Sequence, residues 1–208
     1  MEYKGEPRRW AVLVSVTLGQ TMGNLIFVTL NPLAIEVAKA FGLSKVFYVN
    51  LSIAVNMFNS VPMTFLCVYL YSRYSTSGIL RCVITLMMFG SILRATCFWT
   101  DSFWPVALGG YICSCCNPFF INVQSIIANK WFPDNERALA TAIQTIAMPL
   151  GSGLSFALNS YWFSVESLPF FGVFKTLMIT QAIMTITVWI AFNILIKEKP
   201  DKPPSAVA

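Results

Sequence analysis

Apolar residues fall in long runs along this chain, and the polar interruptions between runs are short. A helix that crosses a bilayer needs about 20 mostly apolar residues. Runs of that length predict six membrane spans, at 10–37, 47–71, 78–99, 103–129, 138–163 and 170–196. The first connection holds Lys39, Gly42 and Lys45, the second is YSRYSTSG from Tyr71 to Gly78, and the third centres on Asp101. The fourth is NKWFPDNERALATAI, Asn129 to Ile143, and the fifth is VESLPF, Val165 to Phe170. No segment remains for a soluble domain. The predicted organisation is a tail at 1–9, a six-helix unit at 10–196 and a second tail at 197–208, in an all-α membrane protein.

Composition strengthens that picture. The chain has 208 residues, of which 56% are hydrophobic and 11% charged, where soluble domains carry about a quarter charged residues. A soluble fold of this size has too much surface to hide so much apolar area. The bilayer is therefore the first expected partner. The net charge of +5 does not point to nucleic acid, because the basic residues punctuate apolar runs instead of forming one patch. MEYKGEPRRW carries two acids, is too short for a transit peptide, and precedes an apolar run too long for a cleavable signal.

The basic residues also predict orientation. Lys4, Arg8, Arg9, Arg73, Arg81, Lys130, Arg137, Lys197, Lys199 and Lys202 fall on one side of the six spans, and Lys39, Lys45, Arg94 and Lys175 on or near the other. The positive-inside rule puts both termini on the inner side, and an even number of spans requires a shared side. Nothing in the sequence separates the plasma membrane from an organelle membrane such as the mitochondrial inner membrane.

The fourth connection gathers charges between two apolar spans. Trp131 and Phe132 are expected as an interfacial aromatic anchor. Pro133 is expected to end span four and Asp134 to cap span five. Glu136 near the positive end of that helix contributes a few tenths to about 1 kcal/mol.

Polar residues recur at helical spacing inside the spans. Gln20, Asn24, Phe27 and Asn31 share a face of span one; Asn56, Ser60 and Thr64 share one in span two. Span four offers Cys113, Asn117 and Gln124; span five offers Thr141, Gln144, Met148, Ser152, Ser155 and Asn159. Such faces turn from lipid. They serve either as interhelical hydrogen bonds or as walls of a shared aqueous cavity. Gly19 and Gly23, and Ala147, Gly151 and Ser155, form small-residue steps that permit close helix approach.

Several chemistries are excluded. Cys113, Cys115 and Cys116 (CSCC) lack any histidine or CxxC pairing and read as small apolar residues of one helix. Absence of histidine also removes the commonest haem ligand. There is no Ser–His–Asp set, zinc spacing or phosphate loop, so neither an enzyme nor a cofactor is expected. No Asp or Glu lies deep in a span, Glu36 and Glu166 falling at span ends, which argues against proton-driven transport.

Three stretches carry a family resemblance. RRW at 8–10, NPFFINVQSIIANKWF at 117–132 running into PDNERALATAI, and KEKPDKPPS at 197–205 resemble the feline leukaemia virus subgroup C receptor family, within the major facilitator superfamily. The resemblance runs along nearly the whole chain but covers only the first half of a twelve-span carrier. It implies a single six-helix lobe of a major-facilitator-type transporter. Such carriers hold substrate between two lobes. A lone lobe is then expected to need a second lobe, a second copy or other membrane subunits over its polar faces.

The family also implies site residues. Members that carry choline hold its quaternary ammonium against a span-one tryptophan, a cation–π contact; an ungapped match from RRW puts Phe27 there. A span-five glutamine lines the same pocket, where this chain reads Met148 and Pro149, with Gln144 about a turn earlier. The expected substrate cavity is thus Gln20, Asn24, Phe27, Asn31, Asn117, Gln124, Gln144, Met148 and Pro149. The expected inner gate is Ser72, Arg73, Glu136 and Arg137, with Ser72 where the family's gating motif carries an acid. Two functions remain open: a facilitative carrier lobe for a small organic cation or amphiphile, choline-like or haem-like, and a non-transporting accessory subunit of a larger membrane complex such as a respiratory-chain assembly.

Overall fold

The structure, a computed structural model, describes residues 7–43, 45–164 and 169–197. Glu166, most of the fifth connection and the greater part of both expected tails lie outside the described residues. In chain order the helices are α1 (Arg8–Val28), a 3₁₀ turn (Asn31–Leu33), α2 (Ala34–Ala40), α3 (Phe47–Arg73), α4 (Thr76–Ala95), α5 (Cys97–Thr100), α6 (Trp104–Asn122), α7 (Gln124–Trp131), α8 (Arg137–Phe163) and α9 (Phe170–Leu195). Five helical stretches are long and apolar enough to cross a membrane, and α6 with α7, bent by 41°, makes a sixth.

Two expected spans are broken. Span one stops at Val28 and resumes through the 3₁₀ turn into α2. Pro32 sits at the start of that turn; without an N–H it cannot bond to the Val28 carbonyl, so the α-helical ladder ends there. Span four bends at Val123. Just before the bend, the Asn122 amide donates to the Pro118 carbonyl (2.8 Å) and the Tyr71 hydroxyl donates to the Phe119 carbonyl (3.0 Å). Side-chain donors drawn into a helical ladder are an established cause of sharp kinks. The short turns are closed by local chemistry. Ser75 caps α4 through its hydroxyl. Gly42, at φ +60°, ends α2 while the Leu43 amide donates to the Ala38 carbonyl at 2.9 Å, a Schellman-type ending that favours glycine.

Helix α1 is the central post. Of its apolar stretch 67% is buried, against 11% for α3, because α1 packs against α8, α6 and α9 whereas α3 leans mainly on α6. The small-residue step at Gly19 and Gly23 faces α6: a Cβ on Gly19 would lie 2.6 Å from the Phe120 ring.

One end of the bundle is tied by polar contacts. Arg9 of α1 meets Glu136 before α8, Lys130 donates to the Thr76 hydroxyl at 2.7 Å, and Arg81 of α4 donates to the Ile196 carbonyl at 3.1 Å. The starts of α1, α4 and α8 and the ends of α7 and α9 therefore share that end. At the opposite end Lys175 of α9 pairs with Asp101 and lies 4.2 Å from the Phe171 ring centre.

Two expectations at the fourth connection are corrected. Asp134 does not cap α8, whose first turn has no side-chain cap. It pairs instead with Arg137 at 2.7 Å, because the turn after Pro133 already takes the Glu136 amide onto the Pro133 carbonyl. Trp131 and Phe132 are not interfacial anchors; both are fully buried. Phe132 meets Trp10 edge-to-face at 5.3 Å, and Arg9 lies 5.8 Å from its ring centre. The 41° bend turns α7 inward, which carries its last aromatic residues into the core.

Candidate functional site

The expected substrate residues centre on the seam where α1 runs alongside α8. That seam is tight because Gly151 carries no side chain. A Cβ there would lie 2.4 Å from the Thr21 carbonyl oxygen and 3.0 Å from the Asn24 Cβ. Ala147 and Ser155, one turn either side of it, are fully buried. The close approach brings Asn24 onto α8, where its amide donates to the Met148 carbonyl at 2.6 Å and the Ser152 hydroxyl at 2.7 Å.

A second polar knot lies at the break after α1. Thr29 is fully buried. Its hydroxyl donates to the Leu25 carbonyl (2.6 Å), lies 3.2 Å from the Ser155 hydroxyl, and accepts from the Gln181 amide at 2.8 Å. The Thr29 carbonyl accepts from Asn159 at 3.3 Å. One threonine thus joins α1, α8 and α9. Sequence reasoning singled out neither Thr29 nor Gln181. Gln181 is one of two amides, with Asn193, in the strongly apolar α9, and that was the available signal.

The bend between α6 and α7 places Gln124 against α1, where its amide nitrogen donates to the side-chain Oε1 of Gln20 at 2.9 Å. Gln20 is fully buried and its own nitrogen has no partner. Gln144 is also fully buried, and neither atom of its amide is bonded. Asn117 packs its Oδ1 against the space left by Gly23, at 3.2 Å from where a Cβ would stand.

The structure therefore divides the expected cavity into three sets. Gln20, Asn24 and Gln144 are shut inside the lobe, while Asn31, Met148 and Pro149 are exposed and Phe27, Asn117 and Gln124 are half-buried. Grooves of about 700 and 400 Å³ lie elsewhere, along α3 and α6, and none of these nine residues lines them. Pro149 borders an open depression of about 660 Å³ with Thr141 and Thr145 on α8 itself. In span two, Ser60 and Thr64 bond to their own helix carbonyls, at Met57 and Ser60, and only Asn56 turns inward.

The expected gate residues also separate. Ser72 and Arg73 are exposed at the end of α3, where Ser72 donates to the Tyr69 carbonyl at 2.7 Å and Arg73 lies 5.9 Å from the Tyr69 ring centre. Glu136 faces Arg9: Nη2 of Arg9 is 3.1 Å from Oε1 and 3.0 Å from Oε2, and the Oε1 contact is the aligned hydrogen bond. Arg137 holds Asp134 and donates from Nε to the Phe132 carbonyl at 3.3 Å. Glu136 and Arg137 thus brace the α7–α8 turn.

Arg94, expected on or near the side opposite the termini, is buried in the last turn of α4, 2% exposed. Its Nη1 reaches the Ile26 carbonyl at 3.5 Å, and its Nε and Nη2 have no partner. A cation facing the C-terminal carbonyls of α1 is favoured by the helix dipole. Cys113 and Cys116 pack in the core, Cys113 against the Met87 carbonyl at 3.5 Å.

Comparison with known proteins places this geometry. The sequence pattern of the Major Facilitator Superfamily matches residues 12–208. The zebrafish (Danio rerio) choline/ethanolamine transporter flvcr2a is 25% identical over 154 residues, covering 73% of this chain and 33% of its own length. Solute carrier family 49 member A3 of Xenopus tropicalis is 24% identical over 159 residues, with 72% and 33% coverage. Two crystal structures of a bacterial homologue of the human lysosomal transporter Spinster share the fold. The inward-facing occupied form has a TM-score of 0.69 at 14% identity, covering 97% of this chain and 47% of that one. The unoccupied form has a TM-score of 0.61 at 16% identity, with 96% and 45% coverage. The chain spans about a third of the length of these curated relatives.

Proposed function

Because this chain belongs to the major facilitator superfamily, we propose that it is one lobe of a facilitative carrier for a small organic cation or amphiphile of the choline or haem kind. The observation that carries the reading is the exposed border of the α1–α8 seam. Phe27 is half-buried one turn beyond Asn24, and Met148 is exposed where Asn24 reaches α8. A π face beside a polar, water-accessible margin suits a quaternary ammonium. A second lobe, a second copy or another membrane subunit closes the site over this border, as superfamily carriers hold substrate between lobes. The acids of the described spans lie at their ends, which favours a facilitative mechanism over a proton-driven one.

Uptake of labelled choline, ethanolamine and haem into proteoliposomes tests the proposal. Saturable uptake that Phe27→Ala lowers and Phe27→Trp restores supports it. Uptake equal to that of empty liposomes, or uptake indifferent to Phe27, refutes the carrier assignment or the site respectively.

A specific observation favours the alternative, an accessory subunit of a larger membrane complex. Asn24 spends its amide on α8, and Gln20 and Gln144 are sealed from solvent. The gate position Ser72 donates to the Tyr69 carbonyl of its own helix. Polar groups committed to internal bonds suit a fixed lobe. Native purification followed by mass spectrometry separates the two: stoichiometric unrelated subunits favour this reading, and a solitary chain or homodimer removes it.

A further inference from the structure

At the end of the bundle where Lys175 meets Asp101, a hollow of about 400 Å³ opens between the 3₁₀ turn, α2, the last turns of α8 and the start of α9. Small ligands occupy about 300–1,000 Å³. Glu36 of α2 lines the hollow and is exposed. Among the described residues it has no ion pair, not even with Lys39 one turn on. Three phenyl rings line the same hollow: Phe156 and Phe163 of α8 and Phe170 of α9. Phe156 is 50% exposed. Phe163 and Phe170 stack with ring centres 4.8 Å apart, and Phe170 stacks in turn on the fully buried Phe174. These two rings are thus held from the core side, so a ligand need not order them. Asn159 is buried and turns its amide away onto the Thr29 carbonyl. Glu36 and Ser160 are therefore the exposed polar side chains of the lining.

An unpaired, accessible carboxylate beside aromatic rings draws a cation twice over, through its own charge and through the ring quadrupoles. The kind of cation follows from what the walls lack. A primary ammonium carries three N–H donors and a guanidinium five, and one carboxylate with one hydroxyl cannot satisfy them. A trimethylammonium group has no N–H to satisfy. It offers methyl groups to the rings while its charge faces the acid, as in the aromatic cages that recognise choline-like groups.

We propose that this hollow is a binding site for a quaternary ammonium compound, whose charge faces Glu36 while its methyl groups pack against Phe156, Phe163 and Phe170. It is a loading site at the mouth of the lobe, apart from the Phe27 border, since Phe27 does not line it. That purpose rests on the carrier reading; the binding itself does not.

The test uses the full chain in nanodiscs made of lipids without choline headgroups, labelled with a photoreactive trimethylammonium probe whose attachment is mapped by mass spectrometry. Labelling falls on the 32–36 and 156–163 segments. Choline displaces the probe about tenfold better than 3,3-dimethylbutan-1-ol, its neutral carbon isostere, the factor that the charge supplies through acid and rings together. Glu36→Gln and Phe156→Ala each weaken choline about fivefold, and Phe156→Tyr, which keeps the ring, restores it. Phe27→Ala leaves the label unchanged. Displacement by free choline identifies a water-borne cation, and displacement only by phosphatidylcholine added to the disc identifies a lipid headgroup held by the same chemistry. Equal displacement by choline and its isostere on the unaltered chain overturns the proposal. So does label confined to other segments, or a choline affinity that Glu36→Gln leaves unaltered. Because labelling requires no transport, a chain that binds here but takes up no choline loses the carrier reading and keeps the site.

Discussion

Gly151→Ala is the sharpest test of the α1–α8 seam. The new methyl would stand 2.4 Å from the Thr21 carbonyl oxygen, a backbone atom that no rotamer change can move, where ordinary contact begins at 3.4 Å. Helices α1 and α8 must therefore part by about 1 Å, in a bundle whose interior is close-packed. The Asn24 amide, now 2.6 and 2.7 Å from its two acceptors on α8, would be drawn to about 3.6 Å, too long for a hydrogen bond. Overpacking of this kind costs about 1–3 kcal/mol, and interhelical bonds in membranes add about 0.6 kcal/mol or more each. A total loss of about 2–4 kcal/mol is expected. Gly153→Ala is the internal control, since a Cβ there meets nothing within 4 Å on the same helix. It should be neutral or stabilising by up to about 1 kcal/mol through helix propensity. Both variants are compared with the unaltered chain by denaturant titration of tryptophan fluorescence in mixed micelles. If Gly151→Ala unfolds at the same midpoint as Gly153→Ala, the two helices are not in the contact described.

Three further outcomes follow from named contacts. Glu136→Gln weakens the pairing with Arg9 and should lower stability by about 1 kcal/mol, whereas Asp134→Asn, whose side chain is 77% exposed, should change it by less than about 0.5 kcal/mol; the same titration reads both. Thr29→Val strands the buried Gln181 amide and should cost about 1–3 kcal/mol, and adding Gln181→Leu should recover part of that loss in a double-mutant cycle. Arg94→Met removes the contact with the Ile26 carbonyl but also two unpartnered nitrogens, so it should be tolerated better than Arg94→Ala, which adds a cavity; midpoints from the same titration rank the pair.

The spans were legible because a bilayer demands unbroken apolar length, and that demand is written directly in residue types. The breaks were not. Pro32 and Asn122 sit inside apolar runs, and hydropathy does not register a missing N–H or a side chain that enters the ladder. The same blindness explains Trp131 and Phe132. Their position beside a charged turn suggested an interface, but the bend at Val123 rotates them into the core. Periodicity correctly gathered Gln20, Asn24 and Gln144 on inward faces, yet a period cannot say whether a face meets water or another helix. Tertiary packing answered that: Gly151 admits α1 so closely that Asn24 becomes a bond between helices. Met148 and Pro149, on the adjacent strip of α8, were left outside. Thr29 escaped notice because its role depends on Gln181, 152 positions away.

The most direct measurement concerns what lies against the exposed strip of α8. A photoreactive amino acid replaces Met148 in the full chain, the label is activated in native membranes, and the adducts are identified by mass spectrometry. A lobe that works with a companion predicts a defined protein adduct, either a second six-helix lobe, a second copy or a fixed membrane subunit. Adducts to lipid alone would contradict it, leaving the chain a freestanding bundle with no second wall to its transport site.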